Sequence, residues 1–163
     1  MGGRSRRQQC EPTRRTNRPV NGRWSAAMRD RFDAIVARVL SQCPNEIHTL
    51  LEESPLIVED APSAELLRSL GIDPSEEDLC GLHSGRAITE RSVTESGELP
   101  DRVQIFRRGI VDEAGGWEPC TDADGTPIGG EAAVEREIRI TILHEIGHHF
   151  GLSEADLVRL GYG

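Results

Sequence analysis

The stretch EAAVEREIRITILHEIGHHF, from Glu131 to Phe150, carries two patterns at once, and the rest of the chain has to fold around both. Ile138, Ile142, Ile146 and Phe150 recur every fourth residue, the interval that stacks side chains on one face of an α-helix. Such a stripe has to be buried against other elements. On the flank of the same helix, His144, His148 and His149 gather three of the chain's five histidines within six residues. A helix turns about 100° per residue, so His144 and His148 stand about 40° apart and one turn along, where two imidazoles can share one metal ion. Glu145 lies about 60° from His148, near enough to reach a water on that ion without binding the ion itself. This is the H-E-x-x-H zinc arrangement, with polar Glu137 and Thr141 on the same side of the helix.

Hydrolytic zinc sites combine three protein donors with one open position, so a third donor is expected. Only 15 residues follow His148, which leaves little room for a donor on a distant helix. The spacing H-E-x-x-H-x-x-G-x-x-E places Glu154 where metzincins carry their third histidine, and Gly151 permits the chain reversal that would bring it back. Asp156 is the alternative. Both acids also suit the first turn of a short helix in SEADLVRLG, with Ser153 as its cap, Asp156 in the capping-box position and Gly161 as its stop. His149, about 100° round from His148, reads as a packed or supporting histidine.

The remaining sequence must supply a modest partner for this helix. The chain has 163 residues, 36% of them hydrophobic, and its aromatics are 3 Phe, 2 Trp and 1 Tyr, so one domain with an aliphatic core is expected. SAAMRDRFDAIVARVLSQC has Met28, Phe32, Ile35, Val36, Val39 and Leu40 at helical spacing, with Ser25 as cap and Pro44 beyond its end. A shorter helix is expected over 46–53, a buried strand in PLIVED, and a helical fragment in SAELLRSLG. LCGLHSGRAITERS reads as irregular and glycine-punctuated. DRVQIFRR alternates Val103 and Ile105 with Arg102, Gln104 and Arg107, the period of a strand with one wet face. Residues 112–130 read as a loop; Asp122, Asp124, Gly125 and Glu131 match positions 3, 5, 6 and 12 of a calcium loop, but Cys120 stands at position 1 and no helix precedes it. A surface turn is the simpler reading.

Charge divides the chain. Residues 1–23 hold seven Arg and one Glu, and read as a solvated, disordered tail; residues 24–163 hold twelve Arg and 27 acids, and form the domain. An acidic body makes nucleic acid an unfavoured partner. No apolar run approaches the roughly 18 residues of a membrane helix, and no secretory signal is evident at the N-terminus, so a cytoplasmic protein without membrane association is expected. Cys10, Cys43, Cys80 and Cys120 form no C-x-x-C pair and are expected to stay reduced.

HEIGHHFGLSEADLVRLG resembles the small bacterial zincin-like metallopeptidase family, which keeps a minimal zincin core. GLHSGRAITERS with LPDRVQIFRRGI resembles that family's Gly-rich connection and the strand before its active-site helix, and PLIVEDAP resembles its first strand. The likeness spans about residues 26–161. It implies an α+β fold with a mixed sheet of about three strands packed on the motif helix, zinc held by His144 and His148, and Glu145 as general base. His83 departs from it, standing where the family usually carries an aromatic residue.

The activity expected is zinc-dependent hydrolysis of a peptide or protein substrate, with the strand of Val103 and Ile105 as an edge on which an extended peptide could pair. Two rivals belong to other classes. One is a catalytically silent zincin-like protein that binds metal or peptide; the other is a metal-dependent ribonuclease of the H-x-x-x-H-x-x-G-x-x-H type, against which Glu145 and Glu154 both count. Tyr162 and several Arg are candidates for stabilising an oxyanion, with nothing in the sequence to choose among them.

Overall fold

The computed structural model describes residues 3–5, 23–74, 79–85 and 101–160. Gly3–Ser5 forms β1, Ala26–Ser41 α1, Asn45–Glu53 α2, Leu56–Glu59 β2, Ala64–Ser69 α3, Leu79–Ser84 β3, Arg102–Phe106 β4, Arg107–Glu113 α4, Cys120–Thr121 β5, Pro127–Ile128 β6, Glu131–His149 α5 and Glu154–Leu160 α6. The main sheet runs β1-β3-β4-β2. β2 is parallel to β4, with Leu56 opposite Val103 and Val58 opposite Ile105; β3 is antiparallel to β4, with His83 opposite Val103. The sheet is therefore mixed, as expected, and β1 adds three residues of the Arg-rich segment to the outer side of β3.

Local chemistry accounts for the helix starts. The Ser25 hydroxyl accepts the Met28 N–H at 3.2 Å, and the Ser63 hydroxyl accepts that of Leu66 at 3.0 Å, each filling an otherwise open donor of a first turn. α1 buries Phe32, Ile35, Val36 and Val39, and α5 buries Val134, Ile138, Ile142 and Ile146; with Val103, Ile105 and Ile110 these make the principal core. The expected stripe on α5 stops one rung early, because Phe150 is 48% exposed where the helix ends. A smaller cluster of Leu67, Leu79, Leu82 and Phe106 is closed by Leu66, Leu70 and Ile72.

Three expectations are corrected. LCGLHS is not irregular but forms β3, with Leu79, Cys80, Gly81, Leu82 and His83 all buried. Gly81 is what makes this possible: a Cβ there would lie 2.7 Å from Thr141 Cγ2 and 3.0 Å from Glu145 Cγ, so only a bare backbone lets α5 pack this close. β4 has no wet face and is not an edge, since Gln104 is buried, its amide donates to the Glu59 carboxylate at 3.0 Å, and β2 and β3 occupy both of its sides. The expected pairing of a peptide along Val103 and Ile105 is thereby excluded. Arg107 belongs to α4 rather than to the strand; it is buried and donates to Asp33 at 2.7 Å and to Asp60 at 2.9 Å, tying α1, the end of β2 and α4 together.

The loop at 112–130 contains the end of α4 and the small hairpin of β5 and β6. Asp122 Oδ1 accepts the N–H groups of Asp124 and Thr126 at 3.0 and 2.8 Å, the side-chain turn that this composition favours. Glu131, the last acid of the calcium-like spacing, instead binds Arg31 and Arg38. Among the described residues, Cys43 and Cys120 are free thiols and no helix is long and apolar enough to cross a membrane.

Candidate metal centre

The last turn of α5 and the first of α6 build the site. α5 closes with Gly151 in the left-handed region (φ 78°), where the Gly151 N–H donates to the His148 carbonyl at 2.9 Å and the Leu152 N–H donates to the Gly147 carbonyl at 3.0 Å. This paired closure turns the chain sharply and brings α6 against the last turn of α5. Gly147 completes the fit: a Cβ there would overlap Leu157 Cδ2, so its hydrogen lets the buried Leu157 of α6 seat directly on α5.

That packing brings Glu154 to the histidines. Its Oε1 lies 3.0 Å from His148 Nε2 and 3.5 Å from His144 Nε2, and the two Nε2 atoms are 3.1 Å apart. His144 is almost wholly buried, while Glu154 is exposed and closes the solvent side. The His148 ring is held from behind, its Nδ1 lying 3.2 Å from the Leu152 carbonyl oxygen. A carbonyl only accepts, so Nδ1 is the donor in this contact, and the ring is oriented with Nε2 toward the Glu154 carboxylate. Zinc bound tetrahedrally at about 2.0–2.1 Å needs donors about 3.3–3.4 Å apart, close to the three separations found. The donor set and its spacing therefore fit zinc.

Asp156 is placed otherwise. Its Oδ2 accepts from the Ser153 N–H at 3.1 Å and from the Ser153 hydroxyl at 2.8 Å, while the Asp156 N–H donates to the Ser153 hydroxyl at 3.2 Å. These Ser153 hydrogen bonds, aided by Arg159, hold its carboxyl below the ordinary aspartate range. It caps α6 rather than joining the histidines.

Glu145 is fully buried beneath β3, and its Oε2 accepts the backbone N–H of His83 at 2.9 Å. Glu137 and Thr141 are buried on α5, Thr141 against Gly81. His149 is buried as well, with its Nδ1 3.3 Å from His83 Nε2. The contributions of Gly147, Gly81 and His83 were missed from sequence. The small residue inside H-E-I-G-H was the available signal for close helix packing. Tyr162 and Gly161 lie outside the described residues.

A family model for zincin-like metallopeptidases matches residues 51–162, more than half of the chain. The chain belongs to the zincin-like metallopeptidase family. No curated protein matches it in sequence. The zincin-like match takes in the sheet strands β2 to β4 and both helices of the metal centre, and starts later than the resemblance read from sequence, leaving α1 outside it.

Proposed function

We propose that this chain is a zinc-dependent metallopeptidase that hydrolyses peptide bonds, with Glu145 as its general base. The observation that carries the reading is the convergence of His144 Nε2, His148 Nε2 and Glu154 Oε1 within 3.0–3.5 Å, with the His148 ring oriented by the Leu152 carbonyl. These three atoms would hold the metal. Zinc bound there supplies Lewis acidity that polarises a carbonyl and brings the pKa of water to about 7.

The chain's own groups do the rest. The Glu145 carboxylate takes a proton from the attacking water and later delivers it to the departing amine. Its hydrogen bond from His83 fixes the carboxylate's orientation, so the base needs no search for its working position. The substrate is a peptide or protein, and the compartment proposed is the cytoplasm, where free thiols such as Cys43 and Cys120 persist.

Zinc titration by calorimetry, paired with hydrolysis of a denatured protein substrate, tests this. The parent should bind zinc and cleave, and Glu145→Gln should bind zinc with unchanged stoichiometry while cleavage falls by about 10²-fold or more. Undiminished cleavage by Glu145→Gln would overturn the mechanism. Zinc uptake by the parent without any cleavage would favour the silent, metal-binding rival.

A further inference from the structure

A second group of donors lies on the other side of α5's last turn. His83 near the end of β3, Asp101 immediately before β4, and His149 at the end of α5 bring three donor atoms within 4.8 Å of one another. His83 Nε2 is 3.3 Å from His149 Nδ1 and 3.9 Å from Asp101 Oδ1. Both rings are buried, and the Asp101 side chain is only 13% exposed. We propose that His83, Asp101 and His149 bind a second zinc ion, separate from the one at His144, His148 and Glu154.

Three features carry this. The separation of 3.3 Å between the two ring nitrogens matches the edge of a zinc tetrahedron, about 3.3–3.4 Å, as the separations at the first centre do. The third atom also falls within a shared ion's reach, with Asp101 Oδ1 3.9 Å from His83 Nε2 and all three donors within 4.8 Å of one another. A central cation engages all three atoms. Finally, the carboxylate is deliberately accommodated: Gly85 (φ 122°) leaves the space in which Asp101 Oδ1 sits, and a Cβ at that position would overlap it. Two imidazoles and one carboxylate form a donor set suited to zinc.

His148 and His149 are neighbours pointing about 100° apart, so one helix turn serves two ions without sharing a donor. The second ion would join β3, the start of β4 and the end of α5. β3 is also the strand whose His83 N–H holds Glu145, so the ion would brace the support of that carboxylate. The proposal does not rest on peptidase activity; its readout is the number and place of bound ions.

Zinc content after equilibrium dialysis of the full chain gives the count, and the imidazole ¹⁵N resonances followed during a zinc titration give the place. The parent should hold two zinc ions per chain. His83→Phe and the double variant His144→Ala, His148→Ala should each hold one, and Asp101→Asn should weaken the second ion at least about tenfold. In the parent, the second equivalent should shift His83 Nε2 and His149 Nδ1. A parent that saturates at one ion overturns the proposal, as does a second ion that leaves these two nitrogens unmoved or survives in His83→Phe. Should His83→Phe fail to fold, the nitrogen resonances of the parent decide alone.

Discussion

His148 Nδ1 donates to the backbone carbonyl of Leu152 at 3.2 Å, so the ring that turns its other nitrogen toward Glu154 is aimed by the turn that ends its own helix. Gly151 makes that turn in the left-handed region. Gly151→Ala should cost about 1–2 kcal/mol in stability, because a Cβ strains this conformation. By shifting the Leu152 carbonyl it should also weaken zinc by about 10- to 100-fold, as loss of a ligand's orienting partner does. Urea unfolding and zinc calorimetry measure the two effects separately; unchanged zinc affinity would show that the carbonyl does not orient the ring.

Glu154 and Asp156 should separate cleanly in their consequences. Glu154→Ala removes an exposed side chain and should leave metal-free stability within about 0.5 kcal/mol, while weakening zinc by more than about 100-fold. Asp156→Ala removes the acid of a capping box and should lower metal-free stability measurably, with the smaller effect on zinc. Thermal melts of the metal-free proteins beside zinc titrations distinguish them. The reverse pattern would exchange their roles.

Gly147 should be intolerant of size. Gly147→Val places a side chain where Leu157 sits, and overpacking of this kind costs about 1–3 kcal/mol. Because the displaced element is α6, which carries Glu154, zinc affinity should fall along with stability. A Gly147→Val variant with the parent's affinity would mean that α6 moves without taking Glu154 with it.

Asp60 should make the fold sensitive to acid. Its hydrogen bond from Arg29 is the largest cause holding its carboxyl below the ordinary range, and Arg107 adds to it. The folded form thus prefers the carboxylate more strongly than the unfolded chain does. That stabilisation is fully present above the unfolded pKa of about 3.9 and is lost as pH falls through the lower folded value. Asp60→Asn should therefore lose stability at pH 7 by about 1–3 kcal/mol, since buried Arg107 gives up a charged partner, and should depend less on pH below 4. Urea midpoints from pH 7 to pH 2 provide the comparison; parallel curves for parent and variant would refute it.

The features legible in the sequence were those that repeat or that sit close together along the chain. α1 and α5 announced themselves by spacing, because a helix converts interval directly into position, and the Gly151 reversal that brings Glu154 beside His148 was marked by the glycine itself. β3 was hidden because Gly81 and His83 are poor strand markers; Gly81 is present for the approach of α5, a tertiary demand that no local pattern records. α4 was hidden by Gly109 and by the burial of Arg107, whose partners Asp33 and Asp60 lie far away in the chain. The His83, Asp101 and His149 cluster was invisible for the same reason, since its members come together only once β3, β4 and α5 are packed.

α1 has a consequence for what can be cut from this protein. It lies outside the span matched by the family, yet Phe32, Ile35, Val36 and Val39 share one core with Ile138 and Ile142, and Arg38 grips Glu131 and Glu135 across the seam. A fragment starting at residue 51 would keep every donor of both centres and leave the back of their helix wet. The matched portion thus lacks the outer wall of its own core, which is written in the preceding thirty or so residues.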